Sequence, residues 1–159
     1  MEEIKINIEV KEYQGIDELN HEDKLLFIEA QKAAEDAYAP YSGFKVGAAL
    51  RLENDIICTG NNQENVAYPS GLCAERVALF HASSNYPGIE IHTVAIAALT
   101  DQYKVKHPVT PCGACRQVLA EYETKQNRKI RVIYPGEEKK INIIEGIENI
   151  LPFIFRFGN

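Results

Sequence analysis

The chain has 159 residues, of which 45% are hydrophobic and 25% are charged, which is the size and composition of one globular domain. Its 23 acidic and 17 basic side chains give a formal charge of -6, so we expect neither nucleic acid nor an anionic membrane as a partner. The apolar runs are far shorter than the roughly 20 residues of a membrane span, and the first ten residues lack a signal-peptide pattern, which favours a cytoplasmic location.

The N-terminal segment alternates apolar and polar side chains over residues 4–10. This period of two predicts a half-buried strand, whose apolar face consists of Ile4, Ile6, Ile8 and Val10. We interpret residues 1–20 as an N-terminal extension that supplies extra surface or an interface strand. Residues 21–159 then form a single domain.

A helix is predicted to begin after Asn20, a good N-cap residue, and to end before Pro40. Its apolar stripe consists of Leu26, Ala30, Ala33, Ala34 and Ala37. The β-rich runs "FKVGAALRL" and "IICTG" follow, and the turn residues Asn54 and Asp55 between them predict a hairpin.

Further along the chain, helical and strand patterns continue to alternate. The run "LCAERVALFHASS" has helical spacing, with an apolar set of Leu72, Val77, Leu79 and Phe80. The run "HTVAIAAL" is typical of a strand covered on both faces, "KIRVIYP" and "KINII" predict two more strands, and "EGIENILPF" predicts a closing helical turn. This order favours a three-layer α/β/α sandwich around a mixed sheet.

The cysteines predict a metal site, because clustered thiols in a reducing compartment bind metal more often than they form disulfides. In "VTPCGAC", Thr110 can cap a helix whose first turn holds Pro111 and Cys112, and Cys115 follows one turn later on the same side. The positive end of a helix favours the thiolate form that binds metal.

A second helix start supplies a third sulfur. Ser70 or Gly71 can lead into "LCAER", which puts Cys73 in the first turn. Three thiolates on one zinc ion leave a net negative charge, which Arg76 can offset by hydrogen bonding toward the sulfurs. We therefore predict one zinc ion per chain, held by Cys73, Cys112 and Cys115.

Glu75 is the predicted acid-base group. A zinc ion with three protein ligands leaves one position for water and lowers the pKa of that water from ~15.7 to ~7. A partly buried carboxylate beside the metal can then move the proton. The alternative is a closed structural site in which Cys58 is the fourth ligand; its position in a strand 15 residues before Cys73 favours a buried apolar thiol instead.

The segments "CAE" and "PCGAC" match the signature of zinc-dependent deaminases. Together with "YAPYSGFKVGAAL", "GNNQENVAY", "CAERVALF", "PCGACRQVL" and "LPFIF", they resemble the small, homotetrameric cytidine deaminases over about residues 24–155. The resemblance implies hydrolytic conversion of cytidine and deoxycytidine to uridine and deoxyuridine in pyrimidine salvage, with release of ammonia.

The resemblance also implies the substrate contacts. Asn62 and Glu64 would bind the ribose hydroxyls, and Phe44 would stack on the pyrimidine. The backbone around Ala74 would meet the amide edge of the base. Phe155 would reach the active site of a neighbouring subunit in the tetramer, although an apolar edge shared with Phe153 and Phe157 is an equal alternative.

Two other functions remain open from the sequence. The chain could deaminate another aminated pyrimidine nucleoside, such as an antibiotic of the blasticidin type. It could instead be a non-catalytic zinc-binding or nucleoside-binding module. Editing of cytosine in nucleic acid is disfavoured by the acidic charge and by the lack of a basic, aromatic stripe.

Overall fold

The computed structural model describes residues 1–100 and 105–157, in which strands alternate with helices as expected. The helices are α1 (His21–Glu35), α2 (Ala74–Asn85) and α3 (Gly113–Gln126). The strands are β1 (Lys11–Tyr13), β2 (Lys45–Leu52), β3 (Ile57–Asn61), β4 (Ile91–Leu99), β5 (Arg131–Pro135) and β6 (Ile141–Glu145). Short 3-10 turns lie at Ile16–Glu18, Tyr68–Ser70 and Ile147–Asn149. Residues 101–104 and 158–159 of the predicted domain lie outside the described residues.

The strands form one mixed sheet in the order β1-β6-β5-β4-β2-β3. Strands β4 and β5 are parallel, and the other neighbouring pairs are antiparallel. The predicted β2–β3 hairpin is confirmed, and Asp55 in its turn has a positive φ of 62°, a conformation that Asp tolerates better than most residues.

Alternate side chains of the central strands face opposite layers of the molecule. In β2, Leu50 packs in an apolar cluster with residues of α2 and α3, whereas the adjacent Ala49 packs in a cluster with residues of α1. In β5, Val132 and Ile133 divide in the same way. The predicted three-layer α/β/α sandwich with a mixed sheet is therefore confirmed.

Helix α1 begins as predicted. The Oδ1 atom of Asn20 accepts the backbone N–H of Asp23 at 2.9 Å, and the predicted apolar stripe is buried except for the half-buried Ala33. Gly47 lets this helix lie close to β2, because a Cβ atom at that position would come within 2.0 Å of the carbonyl oxygen of Ala30.

Two local predictions are wrong. Residues 4–10 form no strand, and their apolar side chains are 45% to 85% exposed, because only Lys11–Tyr13 reach the edge of β6. In α2, Phe80 is 44% exposed, and the buried face consists of Ala74, Glu75, Ala78, Leu79 and Ala82. The small side chains on this face let the helix approach the sheet.

None of the helices among residues 1–100 and 105–157 combines the length and apolar character that crossing a bilayer requires.

Candidate metal centre

Two helices begin at cysteines. Cys73 is the N-cap residue of α2 and Cys112 is the N-cap residue of α3; both have extended backbone, and neither side chain forms a capping hydrogen bond. The predicted caps were therefore placed too early. Gly71 instead ends the 3-10 turn before α2, and the hydroxyl of Thr110 accepts a hydrogen bond from Arg116.

The three predicted ligands converge on one point. The Sγ atom of Cys112 lies 3.6 Å from that of Cys73 and 3.5 Å from that of Cys115, and all three sulfurs lie within 4.8 Å of one another. Zn–S bonds of about 2.3 Å at tetrahedral angles place sulfurs roughly 3.8 Å apart. The donor set and its spacing therefore fit a zinc ion.

The surroundings of the sulfurs favour a thiolate, the form that binds a cation. A hydrogen bond from the thiol of Cys115 lowers the pKa of Cys73 to about 5, and the guanidinium of Arg76, whose Nη2 lies 4.0 Å from the Cys73 sulfur, acts in the same direction. The same hydrogen bond raises the pKa of Cys115, because its proton is shared with the neighbouring thiolate. One thiolate is already stabilised, and a bound cation would stabilise the others.

Glu75 is the second residue of α2 and is only 4% exposed. Burial raises the pKa of its carboxyl group, and the nearby Cys73 thiolate raises it further. The raised pKa lies closer to neutral pH. A carboxyl group whose pKa is near the surrounding pH can both accept and donate a proton. Among the described residues, the three-sulfur group that could hold a metal ion does not include its oxygens.

Cys58 lies outside the metal centre. It is 4% exposed in β3, packs in the apolar cluster beside α2, and has a pKa that burial raises. Among the described residues, the donor group formed by the other three cysteines does not include it. The structure therefore favours a three-ligand site over a site closed by Cys58.

A cavity of about 520 Å³ reaches Cys73, one of the three cysteines. Its lining includes Ser42, Asn62, Glu64, Leu72, Cys73 and Arg76. Both predicted ribose ligands, Asn62 and Glu64, thus share a cavity with Cys73, one of the predicted zinc ligands. A small polar molecule in this cavity would contact the metal centre at one end.

Glu64 holds the loop at one side of the cavity. Its carboxylate accepts the backbone N–H groups of Tyr41 at 2.8 Å and Ser42 at 3.3 Å, and also the hydroxyl of Ser42. The Ser42 hydroxyl is the main cause that lowers the pKa of Glu64, so this side chain stays an anionic acceptor.

Asn62 fixes the strand that carries Phe44. Its Oδ1 atom accepts the N–H of Val46 at 2.7 Å, and its Nδ2 atom donates to the carbonyl of Phe44 at 2.9 Å. An amide has two hydrogens and two lone pairs, so one of each is left for a ligand. Asn62 therefore has a positioning contact in addition to its predicted contact with ribose.

Backbone hydrogen bonds tie the loop before α2 to the segment that follows β3. Gln63 and Leu72 exchange two hydrogen bonds of 2.9 Å. Gly60 lets α2 approach closely, because a Cβ atom there would lie 2.5 Å from the backbone nitrogen of Ala78. These contacts bring Cys73 to the same end of the sheet as the cavity.

The remaining predicted substrate contacts are Ala74, Phe44 and Phe155. Ala74, the first residue of α2, is fully buried beside the sulfurs. Phe44 is half-buried and is not among the described residues that line the cavity. Phe155 is 75% exposed, and its carbonyl accepts a hydrogen bond from Gln117 at 2.9 Å, so it does not enter the cavity of its own chain.

Sequence reasoning missed the role of Arg116. Its guanidinium donates to the carbonyl of Pro111 at 2.7 Å, the hydroxyl of Thr110 at 3.1 Å and the carbonyl of Ile150 at 2.9 Å. It thereby fixes the segment that precedes Cys112. Its place directly after "PCGAC" was the available signal.

The fold and the site define the class of protein. A three-sulfur zinc site at two helix starts, with a buried glutamate beside it in an α/β/α sandwich, is the arrangement of zinc-dependent deaminases. The family described as "Cytidine and deoxycytidylate deaminase zinc-binding region" matches residues 20–128, and this chain belongs to that family.

The chain is also similar to individual family members. It is 49% identical over 98 residues to cytidine deaminase of Halalkalibacterium halodurans, covering 62% of this chain and 70% of that one. It is 50% identical over 97 residues to the Sporosarcina psychrophila cytidine deaminase, covering 61% and 67%. The crystal structure of the Burkholderia pseudomallei cytidine deaminase superposes with a TM-score of 0.71 at 36% identity, covering 86% of this chain and all of that chain.

Proposed function

We propose that this chain is a cytidine deaminase that converts cytidine and deoxycytidine to uridine and deoxyuridine with release of ammonia. The observation that carries this proposal is the adjacency of three converging sulfurs, a buried glutamate and a cavity that also contains Asn62 and Glu64. Similarity to curated cytidine deaminases supports the same substrate class.

Cys73, Cys112 and Cys115 would hold one zinc ion, which acts as a Lewis acid toward water and lowers its pKa to about 7 when bound. Glu75 would take a proton from the attacking water and deliver it to N3 of the pyrimidine as the water oxygen adds to C4. Glu75 would then move the proton of the new C4 hydroxyl to the amino group, which leaves as ammonia while C4 becomes a carbonyl. The raised pKa of Glu75 suits both directions of transfer.

The remaining side chains would bind and orient the nucleoside. From one side of the cavity, Glu64 would accept hydrogen bonds from the sugar hydroxyls, and Asn62 would accept or donate them. Arg76 keeps its guanidinium near the sulfur of Cys73 and offsets the charge of the thiolates. The Phe44 ring stacks on the base, and the Ala74 backbone meets its amide edge.

We also propose that the enzyme works as a homotetramer in the cytoplasm, in pyrimidine salvage. Support for an assembly comes from Phe153, Phe155 and Phe157, which are 75% to 98% exposed in the single chain. In this assembly Phe155 would reach the active site of a neighbour. The reducing cytoplasm would keep the three ligand thiols free of disulfides.

An assay of ammonia release tests the proposal. Purified protein is incubated with cytidine, deoxycytidine, free cytosine and a blasticidin-type nucleoside, and zinc per chain is measured in parallel. We expect turnover of the first two nucleosides with one zinc per chain. Turnover of the antibiotic alone, or binding of cytidine without ammonia, would overturn the assignment.

Glu75→Gln tests the proton-transfer role. The amide keeps the shape of the side chain but cannot carry the proton, so kcat should fall by about 100-fold to 10,000-fold while zinc content stays unchanged. Glu121→Gln, at an exposed position of α3, is the matched control and should retain full activity. Substantial turnover by Glu75→Gln would remove Glu75 from this role.

A further inference from the structure

The N-terminal extension exposes a row of aliphatic side chains. Residues 1–12 are all exposed, and Ile4, Ile6, Ile8 and Val10 retain 45% to 85% of their accessible surface. The family match begins at residue 20, after this row. A contiguous exposed apolar row is typical of an interaction surface.

The segment continues an open sheet edge. Strand β1 is the terminal strand of the sheet and pairs with β6 on one side only. Among the described residues no strand lies against its other edge, and such an open edge is a template for pairing with another strand.

The sequence of the segment, "EIKINIEVK" from Glu3 to Lys11, is self-complementary in charge. When two copies run antiparallel with Asn7 opposite Asn7, Lys5 faces Glu9 and Glu3 faces Lys11. Every apolar residue then faces an apolar residue. Opposite charges in directly facing positions stabilise an antiparallel pair, and like charges destabilise it.

This register is the one that the charges select. Moving the axis to Ile6 places Glu3 opposite Glu9, and moving it to Ile8 places Lys5 opposite Lys11. A shift that pairs odd with even positions sets apolar residues against polar ones. Within the described residues, Lys5 and Glu9 form no ion pair in their own chain, so both charges are available to a partner.

The backbone is compatible with the same register. The N–H of Glu9 donates to Oδ1 of Asn149 at 3.0 Å and thus faces its own chain. When the segment extends as a strand on pairing, alternate residues direct their backbone groups to opposite edges, so Ile8 and Val10 would face away from Asn149. About an axis at Asn7, the residues that exchange ladder hydrogen bonds are Ile6 with Ile8 and Ile4 with Val10. The bond to Asn149 is therefore retained.

We propose that the segment from Glu3 to Lys11 is a docking strand for a second copy of this chain, paired antiparallel with the same segment about a two-fold axis at Asn7. A two-fold contact uses the same surface on both copies, which is why a self-complementary sequence is sufficient. The inference is independent of the substrate proposed above.

Cross-linking of the full-length, zinc-loaded protein tests the register. Residues opposite each other in a non-hydrogen-bonded pair have Cα atoms about 4.5 Å apart, within the range of about 4.4–6.8 Å that a disulfide spans. We expect Asn7→Cys to form a disulfide between copies under mild oxidation at least about tenfold faster than Lys5→Cys. In the proposed register the two copies of residue 5 are four positions apart along the strand, about 13 Å. Equal rates for the two variants would overturn the proposal.

Charge reversal in the Asn7→Cys background tests the complementarity. Lys5→Glu or Glu9→Lys alone puts two like-charged pairs in each dimer and should slow cross-linking about tenfold. Mixing these two variants, or combining both reversals in one chain, restores opposite charges and should restore the rate. Failure of both restorations would overturn the proposal.

Controls separate this result from loss of folding or function. Zinc content and thermal unfolding are measured for each variant and should match those of the Asn7→Cys protein, because residues 1–12 are exposed and lie outside the metal centre. Ammonia release does not enter the readout. If no substrate were turned over, the proposed function would fail while the cross-linking result remained interpretable.

Discussion

Helix α1 begins at a residue whose side chain caps it, whereas α2 and α3 begin at cysteines whose side chains do not. Asn20 satisfies the backbone N–H of Asp23, and an N-cap of this kind contributes about 0.5–2 kcal/mol. Cys73 and Cys112 lie at the equivalent positions of α2 and α3, but their sulfurs face each other at 3.6 Å. The same helix position thus serves stability on one face of the sheet and, in the proposed site, would serve metal binding on the other.

The comparison of the three helix starts shows that α2 and α3 lack the stabilising side-chain cap that α1 has. A serine or asparagine at Cys73 or Cys112 would cap its helix better than a thiol does. The thiols leave the positive helix ends directed at the sulfurs, where they favour thiolate. Binding of a cation would offset the missing caps, so we expect the start of α2 and the start of α3 to depend on metal, and the start of α1 to be independent of it.

The largest expected effect comes from Cys112→Ser. Loss of one sulfur should abolish zinc binding and lower kcat/KM by at least about 100-fold, since even partners of metal ligands are worth 10-fold to 100-fold. The new hydroxyl can cap α3, so the metal-free variant should gain about 0.5–1 kcal/mol in its free energy of unfolding relative to the metal-free parent. Urea denaturation with and without chelator measures the change in stability, and zinc per chain and the ammonia assay measure the loss of metal and of activity.

Cys58→Ala is the matched control for that experiment, because Cys58 is a buried cysteine outside the sulfur cluster. It should keep its zinc. A zinc-free Cys58→Ala protein would point to a four-cysteine site, and an active Cys112→Ser enzyme would remove Cys112 from the ligands.

Two glycines provide the next comparison. Gly60→Ala would force a Cβ atom against the backbone of Ala78 in α2, and Gly47→Ala would force one against the backbone of Ala30 in α1. Overpacking of this kind costs about 1–3 kcal/mol, so both variants should be less stable. Only Gly60→Ala displaces the helix that carries Cys73, and only this variant should bind zinc more weakly.

Competition with a chelator measures zinc affinity of the two glycine variants at a temperature where both remain folded. A comparable loss of zinc affinity in both variants would mean that the packing of α1 also affects the metal centre, and it would contradict the expected independence of the two faces of the sheet.

The smallest effect is expected for Asn20→Ala. Loss of the cap should lower the free energy of unfolding by about 1 kcal/mol and leave kcat and zinc content unchanged. Asn20→Ser keeps a side-chain oxygen for the N–H of Asp23 and should retain most of the stability. Thermal unfolding and the ammonia assay report the two quantities, and reduced activity in Asn20→Ala would tie α1 to the site.

Local patterns predicted most of the elements because they depend on residues that are close in sequence. The spacing of Leu26, Ala30 and Ala34 follows the helical period, and these side chains are buried as expected. The alternation over residues 4–10 failed for the converse reason: it describes a strand correctly only when a neighbouring strand is present. Phe80 has helical spacing, but the close contact of α2 with β3 selected the small residues instead.

The sequence by itself determined that two of the predicted donors lie together, because the three-residue spacing of Cys112 and Cys115 puts their sulfurs one helical turn apart. Only the tertiary structure decided that Cys73, 39 residues before Cys112, meets them, that Cys58 does not, and that Glu75 is buried beside them. The physical reason is that the backbone fixes distances within a turn, whereas distances between elements are fixed by how closely their side chains, here Gly60 against Ala78, allow them to pack.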